Sequence, residues 1–230
     1  MVELKSSGET IYGVYIKQPD SMRVIPHPTI IYHHGNNDNL EFFWPRIEYL
    51  YRCCFDVFAY DYQGFGKSTG TSTTEDDLFS DARAVLDYVR SRPDVDTTFI
   101  VQYGFSLGGV GALYSAAELH QAHAVILEAA YASGEALVQS GTLLNIPGGY
   151  LLEGEFNNKG RIGTINAPVL ILHGTNDTFI PFSRHAQPLY DHARNPKTLI
   201  AVKGADHDNV PTTMGIQAYI DIITTFVRGN

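Results

Sequence analysis

Thr98-Phe99-Ile100-Val101-Gln102-Tyr103, followed by Gly104-Phe105-Ser106-Leu107-Gly108-Gly109, is the stretch on which the fold turns. The first six residues are mostly β-branched or aromatic and read as a strand. From Leu107 to Leu119 the chain is apolar, rich in small residues, and reads as a helix. Between the two lies G-x-S-x-G. A serine caught between a strand and a helix sits on a sharp, strained turn that exposes its hydroxyl, and flanking glycines let strand and helix approach closely. The helix N-terminus behind it favours a developing negative oxygen. Ser106 is therefore the candidate nucleophile.

Working outward, the same alternation recurs. Ile11 to Lys17, Pro28 to His33, Phe55 to Tyr60, His123 to Glu128, Pro168 to His173 and Thr198 to Val202 read as strands. Helices are expected over Trp44 to Arg52, from a Thr74 cap with Glu75, Asp76 and Asp77 in its first turn, over Arg184 to Ala193, and over Thr213 to Val227. Apolar strands alternating with helices predict a mostly parallel sheet covered on both faces. Ligands on such sheets bind beyond the carboxyl ends of the strands. Tyr131 to Asn166 breaks the rhythm, with several glycines and no clear period.

A serine hydroxyl needs a base, and the base an orienting acid. In the chain order Ser, Asp, His, the acid and base follow the nucleophile. Gly174-Thr175-Asn176-Asp177 follows one predicted strand and Gly204-Ala205-Asp206-His207 another. Asp177 is the expected acid and His207 the expected base. Asp206 and Asp208 flank the base, and their side chains are expected to point away from it. His27, His120, His123, His185 and His192 fall at the wrong strand ends or on helices. His173 precedes its loop and is expected to pack or bond locally. The two expected oxyanion donors are the backbone amides of Leu107 and of Asn36, which follows His33-His34-Gly35. A metal role for His33-His34 lacks a third clustered ligand, so no metal and no cofactor is expected.

Composition narrows the partners. The 230 residues, 44% hydrophobic and 18% charged, suit one globular domain. The formal charge of −9 argues against nucleic acid or an anionic membrane as the main partner. Cys53 and Cys54 are adjacent, so they form no disulfide framework. No apolar run approaches the ~20 residues of a membrane span, and no signal segment is visible; a cytoplasmic location is expected. Oligomeric state is not readable.

Five blocks in order resemble the alpha/beta-hydrolase superfamily: His34 to Asn39, Asp61 to Ser68, Gly104 to Gly109, His173 to Pro181 and Gly204 to His207. The branch they are most similar to holds monoacylglycerol-lipase-like, serine-aminopeptidase-like and depalmitoylase-like enzymes. The resemblance runs from about Ile11 to the end. It implies a serine hydrolase acting on an ester or thioester, with the Asp61 to Ser68 loop structural. A peptidase of the aminopeptidase-like branch and a non-catalytic binder on the same fold are the alternatives. Many relatives carry a large helical lid before the acid. Here only residues 131–166 are available, so a minimal cap on a single domain is expected, favouring small to medium acyl groups.

Overall fold

Each of β3 (Thr29–His33), β4 (Asp56–Asp61), β5 (Ile100–Phe105), β6 (Ala124–Glu128) and β7 (Val169–Gly174) is buried along its whole length. A strand buried on both faces needs helices on both sides, which is why these read as near-continuous apolar runs, broken by a few buried polar residues such as Gln102. In the computed structural model, which describes residues 1–23, 25–70, 74–141 and 154–229, they form the centre of an eight-stranded sheet. β1 (Val2–Ser6), β2 (Glu9–Ile16) and β8 (Lys197–Val202) complete the order β1-β2-β4-β3-β5-β6-β7-β8. The β1–β2 and β2–β4 pairs are antiparallel and the rest parallel.

Alternate residues of each strand face opposite layers. Ile30, Tyr32, Val101 and Tyr103 pack with Ile47 and Leu50 of α1 (Leu40–Arg52) and with Tyr219 and Ile223 of α8 (Ile216–Arg228). On the other face, Ile31 and Ile100 pack with Val85 and Val89 of α2 (Glu75–Ser91) and Val110 of α3 (Gly109–Ala117). α6 (Ala186–His192) lies on that same face through Ala186 and Leu189, which meet Val125, Val169 and Ile171. α2 opens with a full capping box: the Thr74 hydroxyl accepts from the Asp77 amide, and Asp77 accepts from the Thr74 amide.

The helices differ from the sequence reading in three places. α1 begins at Leu40, because the Asn39 side chain caps it by accepting from the Glu41 amide, and Pro45 falls inside it. The helix expected from Leu107 is a 3-10 turn over Ser106–Gly108 before α3 begins. The closing helix is two helices, α7 (Val210–Met214) and α8. Gly215 between them has φ +93°, outside helical space. Within residues 131–166 the described elements are α4 (Gly134–Gly141) and α5 (Asn158–Ile162). The cap residues Leu143, Leu144, Ile146, Leu151 and Leu152, and Gly148 and Gly149, lie outside the described residues.

Candidate active site

β5 runs straight into Ser106, whose φ is +52°. A residue with a Cβ is strained there, and such strain persists only where its surroundings hold it. The two motif glycines show how. A Cβ on Gly104 would lie 2.6 Å from the Gly108 carbonyl oxygen, and one on Gly108 would lie 1.9 Å from that of His33. Only glycine lets α3 press this closely on β5 and β3, and that pressure pins the serine turn.

The Ser106 Oγ lies 3.1 Å from His207 Nε2, and His207 Nδ1 lies 2.8 Å from Asp177 Oδ2. The three residues come from the loops after β5, β8 and β7. Asp177 Oδ1 also accepts from the Phe179 and Ile180 amides, at 3.0 and 2.7 Å. Burial works to raise the Asp177 carboxyl, but hydrogen bonds from His173, His207 and Ile180 outweigh it and hold the group well below the usual carboxylate range. An ionised Asp177 only accepts. His207 must then carry its proton on Nδ1, which leaves Nε2 free to accept from the Ser106 hydroxyl.

The loops after β7 and β8, which carry Asp177 and His207, are laced together. Asn176 donates to the Ala205 carbonyl at 2.9 Å, and the Gly204 amide donates to the Thr175 hydroxyl at 2.9 Å. A Cβ on Gly174 would lie 2.3 Å from the Ala205 oxygen, so glycine is required for this contact. Asp206 accepts from the Asp208 and Asn209 amides at 3.1 Å and turns back into its own loop, as expected. His173 also bonds locally: its Nε2–H donates to the Ile180 carbonyl at 2.7 Å and is shared, at the longer distance of 3.4 Å, with Asp177 Oδ2.

Beside the serine lies a cavity of about 200 Å³, lined by Asn36, Ser106, Leu107, Tyr131, Leu137, Phe156, Phe179 and Ile180. Asn36 and Leu107, singled out from sequence, therefore share one wall region with Ser106. The aromatic lining was missed. Tyr131 and Phe156 sit in segments without a clear period, and Phe179 is 60% exposed with its ring edge-on to His207 at 5.1 Å. Tyr131 lies just past the end of β6 and Phe179 two residues beyond Asp177, which was the signal available; nothing local marks Phe156.

Other histidines have local roles. His33 bonds the Tyr60 hydroxyl at 2.8 Å and Gln102 Oε1 at 3.0 Å, and His34 Nδ1 donates to the Gly35 carbonyl at 2.7 Å. His185 accepts from the Ala132 amide at 3.1 Å and meets the Ser140 hydroxyl at 3.0 Å, which ties α4 to the rest of the fold. Among the described residues, no group of three or more His, Cys, Asp or Glu is arranged to hold a metal ion.

These buried histidines set an acid limit on stability. Burial lowers His33 and His185 to about 4 and His34 to about 3, from an ordinary 6.5. Between those values the unfolded chain binds protons that the folded chain refuses, so stability falls as pH falls. The depressed Asp177 acts in the same direction. Asp61, which burial raises from 3.8 to about 6, opposes them, because its folded form takes up a proton first. Burial also raises Asp81, which sides with Asp61, and lowers His123, which sides with the other histidines, so four histidines outweigh two carboxyls. The thermal unfolding midpoint is expected to drop by roughly 5 °C or more between pH 7 and pH 4.5. A midpoint that stays level or rises over that range contradicts this assignment.

A family model described as serine aminopeptidase, S33, matches residues 25–148. The uncharacterized protein YfhR of Salmonella typhi is 34% identical over 213 residues, which is 87% of this chain and 71% of that protein. The chain belongs to the serine aminopeptidase S33 family of alpha/beta hydrolases. The chain spans about two thirds of the length of the curated relatives it matches. YfhR of Escherichia coli O157:H7 is 36% identical over 183 residues, and the match spans 78% of this chain but 62% of that protein. Human alpha/beta hydrolase domain-containing protein 17B is 33% identical over 185 residues, spanning 79% of this chain and 61% of the relative. Among solved structures, the esterase Pf2001 of Pyrococcus furiosus superposes with a TM-score of 0.81 at 19% identity, covering 99% of this chain and 90% of that one. Est1E of Butyrivibrio proteoclasticus, solved with ferulic acid, gives 0.76 at 19% identity, covering 100% and 97%. At such identity the likeness is one of fold. Among the described residues of the S33-family chain, no helix is long and apolar enough to cross a membrane.

Proposed function

We propose that this S33-family hydrolase is a serine esterase or thioesterase that cleaves small to medium acyl groups by two-step acyl transfer. The observation that carries the reading is the continuous hydrogen-bonded path from Ser106 through His207 to Asp177 at the wall of a cavity. In this reading His207 takes the Ser106 proton as Oγ attacks the acyl carbonyl. Asp177 holds the imidazole tautomer and stabilises the imidazolium. The amides of Asn36 and Leu107 receive the oxyanion. The tetrahedral intermediate collapses, the leaving alcohol or thiol takes the proton from His207, and an acyl-serine remains. Water then attacks with the same base, releasing the acid and restoring the hydroxyl. The chemistry calls for no cofactor. The whole chain acts as one domain, with residues 131–166 as its cap.

The family's name includes peptidases that act at an N-terminus. An aminoacyl substrate brings a cationic amine, which a pocket meets with a carboxylate. Among the described residues the cavity wall carries none, which favours a neutral acyl group. The formal charge of −9 supports a small-molecule substrate over nucleic acid.

The cavity is small beside the ~300–1,000 Å³ of pockets that enclose drug-sized ligands. Each methylene that finds apolar wall contributes ~0.8 kcal/mol, roughly fourfold in rate. Against a panel of p-nitrophenyl esters, kcat/KM is expected to rise by that increment from acetyl to about butyryl or hexanoyl and then level or fall. The panel includes a matched thioester and an aminoacyl amide. A steady rise through dodecanoyl, measured below micelle formation, refutes the short-chain reading. Preference for the aminoacyl amide supports the peptidase instead.

A further inference from the structure

Glu128, the last residue of β6, is fully buried, yet it accepts from four donors. Arg46 of α1 reaches Oε1 with both Nε and Nη2 at 3.1 Å. The Tyr219 hydroxyl donates to Oε2 at 2.9 Å, and the Tyr103 hydroxyl donates to it as well. An apolar core of the same shape is usually as stable as a buried ion pair or more so, so stability alone does not explain this one. What Arg46 touches besides Glu128 does. Its Nη2 donates to the Asp208 carbonyl at 2.7 Å, and its guanidinium lies 3.9 Å from the centroid of the Phe105 ring. Phe105 immediately precedes Ser106, and Asp208 immediately follows His207. The Phe105 ring also stands 5.3 Å from the His207 ring.

We infer that Arg46 is a positioning residue that sets the registry between Ser106 and His207, with Glu128 as its buried counter-charge; this rests on the acyl-transfer reading above. The guanidinium suits the task for a geometric reason. Its planar fork grips Glu128 on one edge, leaves a face to stack on Phe105, and keeps an N–H for the Asp208 carbonyl. A lysine has one nitrogen and no face, so it cannot make the three contacts at once. Thr175 and Asn176 tie the base loop to the acid loop. Arg46 ties it toward β5 and the nucleophile.

Two variants test this. Arg46→Lys keeps the charge for Glu128 but breaks the fork. The double variant Arg46→Met with Glu128→Gln removes both charges together, and its new amide oxygen can still accept from the phenols, so it is the one built to fold. Both are expected to lose on the order of 10²-fold in kcat, with KM within about twofold, since a misplaced base slows chemistry without weakening substrate binding. Hydrogen exchange of backbone amides 205–210 is expected to speed up by about tenfold or more while amides 100–105 keep their protection. That readout needs no turnover. An inactive wild type counts against the acyl-transfer reading, and Arg46 is then judged on the exchange of 205–210. A folded double variant with kcat within about threefold of wild type, or with unchanged exchange at 205–210, overturns the inference.

Discussion

Ser106→Ala is expected to fold as the wild type does and to lose on the order of 10⁴-fold or more in kcat on a short-chain ester. The fold should survive because alanine keeps the Cβ, so the positive φ at this position becomes neither easier nor harder to hold. What disappears is the oxygen 3.1 Å from His207 Nε2. Without it there is no acyl-serine, and the remaining cavity groups can only assist direct attack by water. The variant should also fail to take a fluorophosphonate, while the wild type gains one adduct on the peptide containing Ser106. Intact-protein mass spectrometry and a stopped assay on p-nitrophenyl butyrate check both statements. Turnover within tenfold of the wild type sinks the proposed mechanism, and labelling at another serine relocates it.

Asp177→Asn should be nearly as damaging, at about 10⁴-fold in kcat. The substitution keeps size and shape, and an amide oxygen can still accept from the Phe179 and Ile180 amides now bonded to Oδ1. The amide nitrogen then faces His207 Nδ1 in place of Oδ2. Two donors cannot share that 2.8 Å contact. The imidazole relieves the clash by moving its proton to Nε2, which turns a donor toward the Ser106 hydroxyl and abolishes its role as base. KM should stay close to the wild-type value, because Asp177 is not among the cavity-lining residues and the bonds that hold the Phe179 and Ile180 amides are kept. Loss of less than about tenfold would show that the carboxylate does not hold the tautomer.

Much of this was legible in the chain itself. Ser106 could be read because its signal is local: an apolar strand, a glycine-flanked serine and a helix within a dozen residues. Asp177 and His207 could be read because each follows its own apolar strand, and the strand-end rule brings such loops to one edge of a parallel sheet. Short-range physics decides these features, so a sequence window contains them. The extent of α1 and the break at Gly215 were not read, since an asparagine cap and a glycine φ are selected by what surrounds them.

The rest needed the tertiary structure. Arg46 is 82 residues from Glu128 and 162 from Asp208, and nothing in the local run of α1 marks it among ordinary helical arginines. Nothing in the sequence separates His185 from other histidines beside helices, yet its ring lies between the Ala132 amide and the Ser140 hydroxyl, 53 and 45 residues away. Tyr131, Phe156 and Phe179 line one cavity only because three separate segments converge beside Ser106. The sequence by itself determined which residue types occupy the edge of the sheet. Which buried charge ties one loop to another, and how large a pocket they enclose, depends on long-range packing that no periodicity encodes.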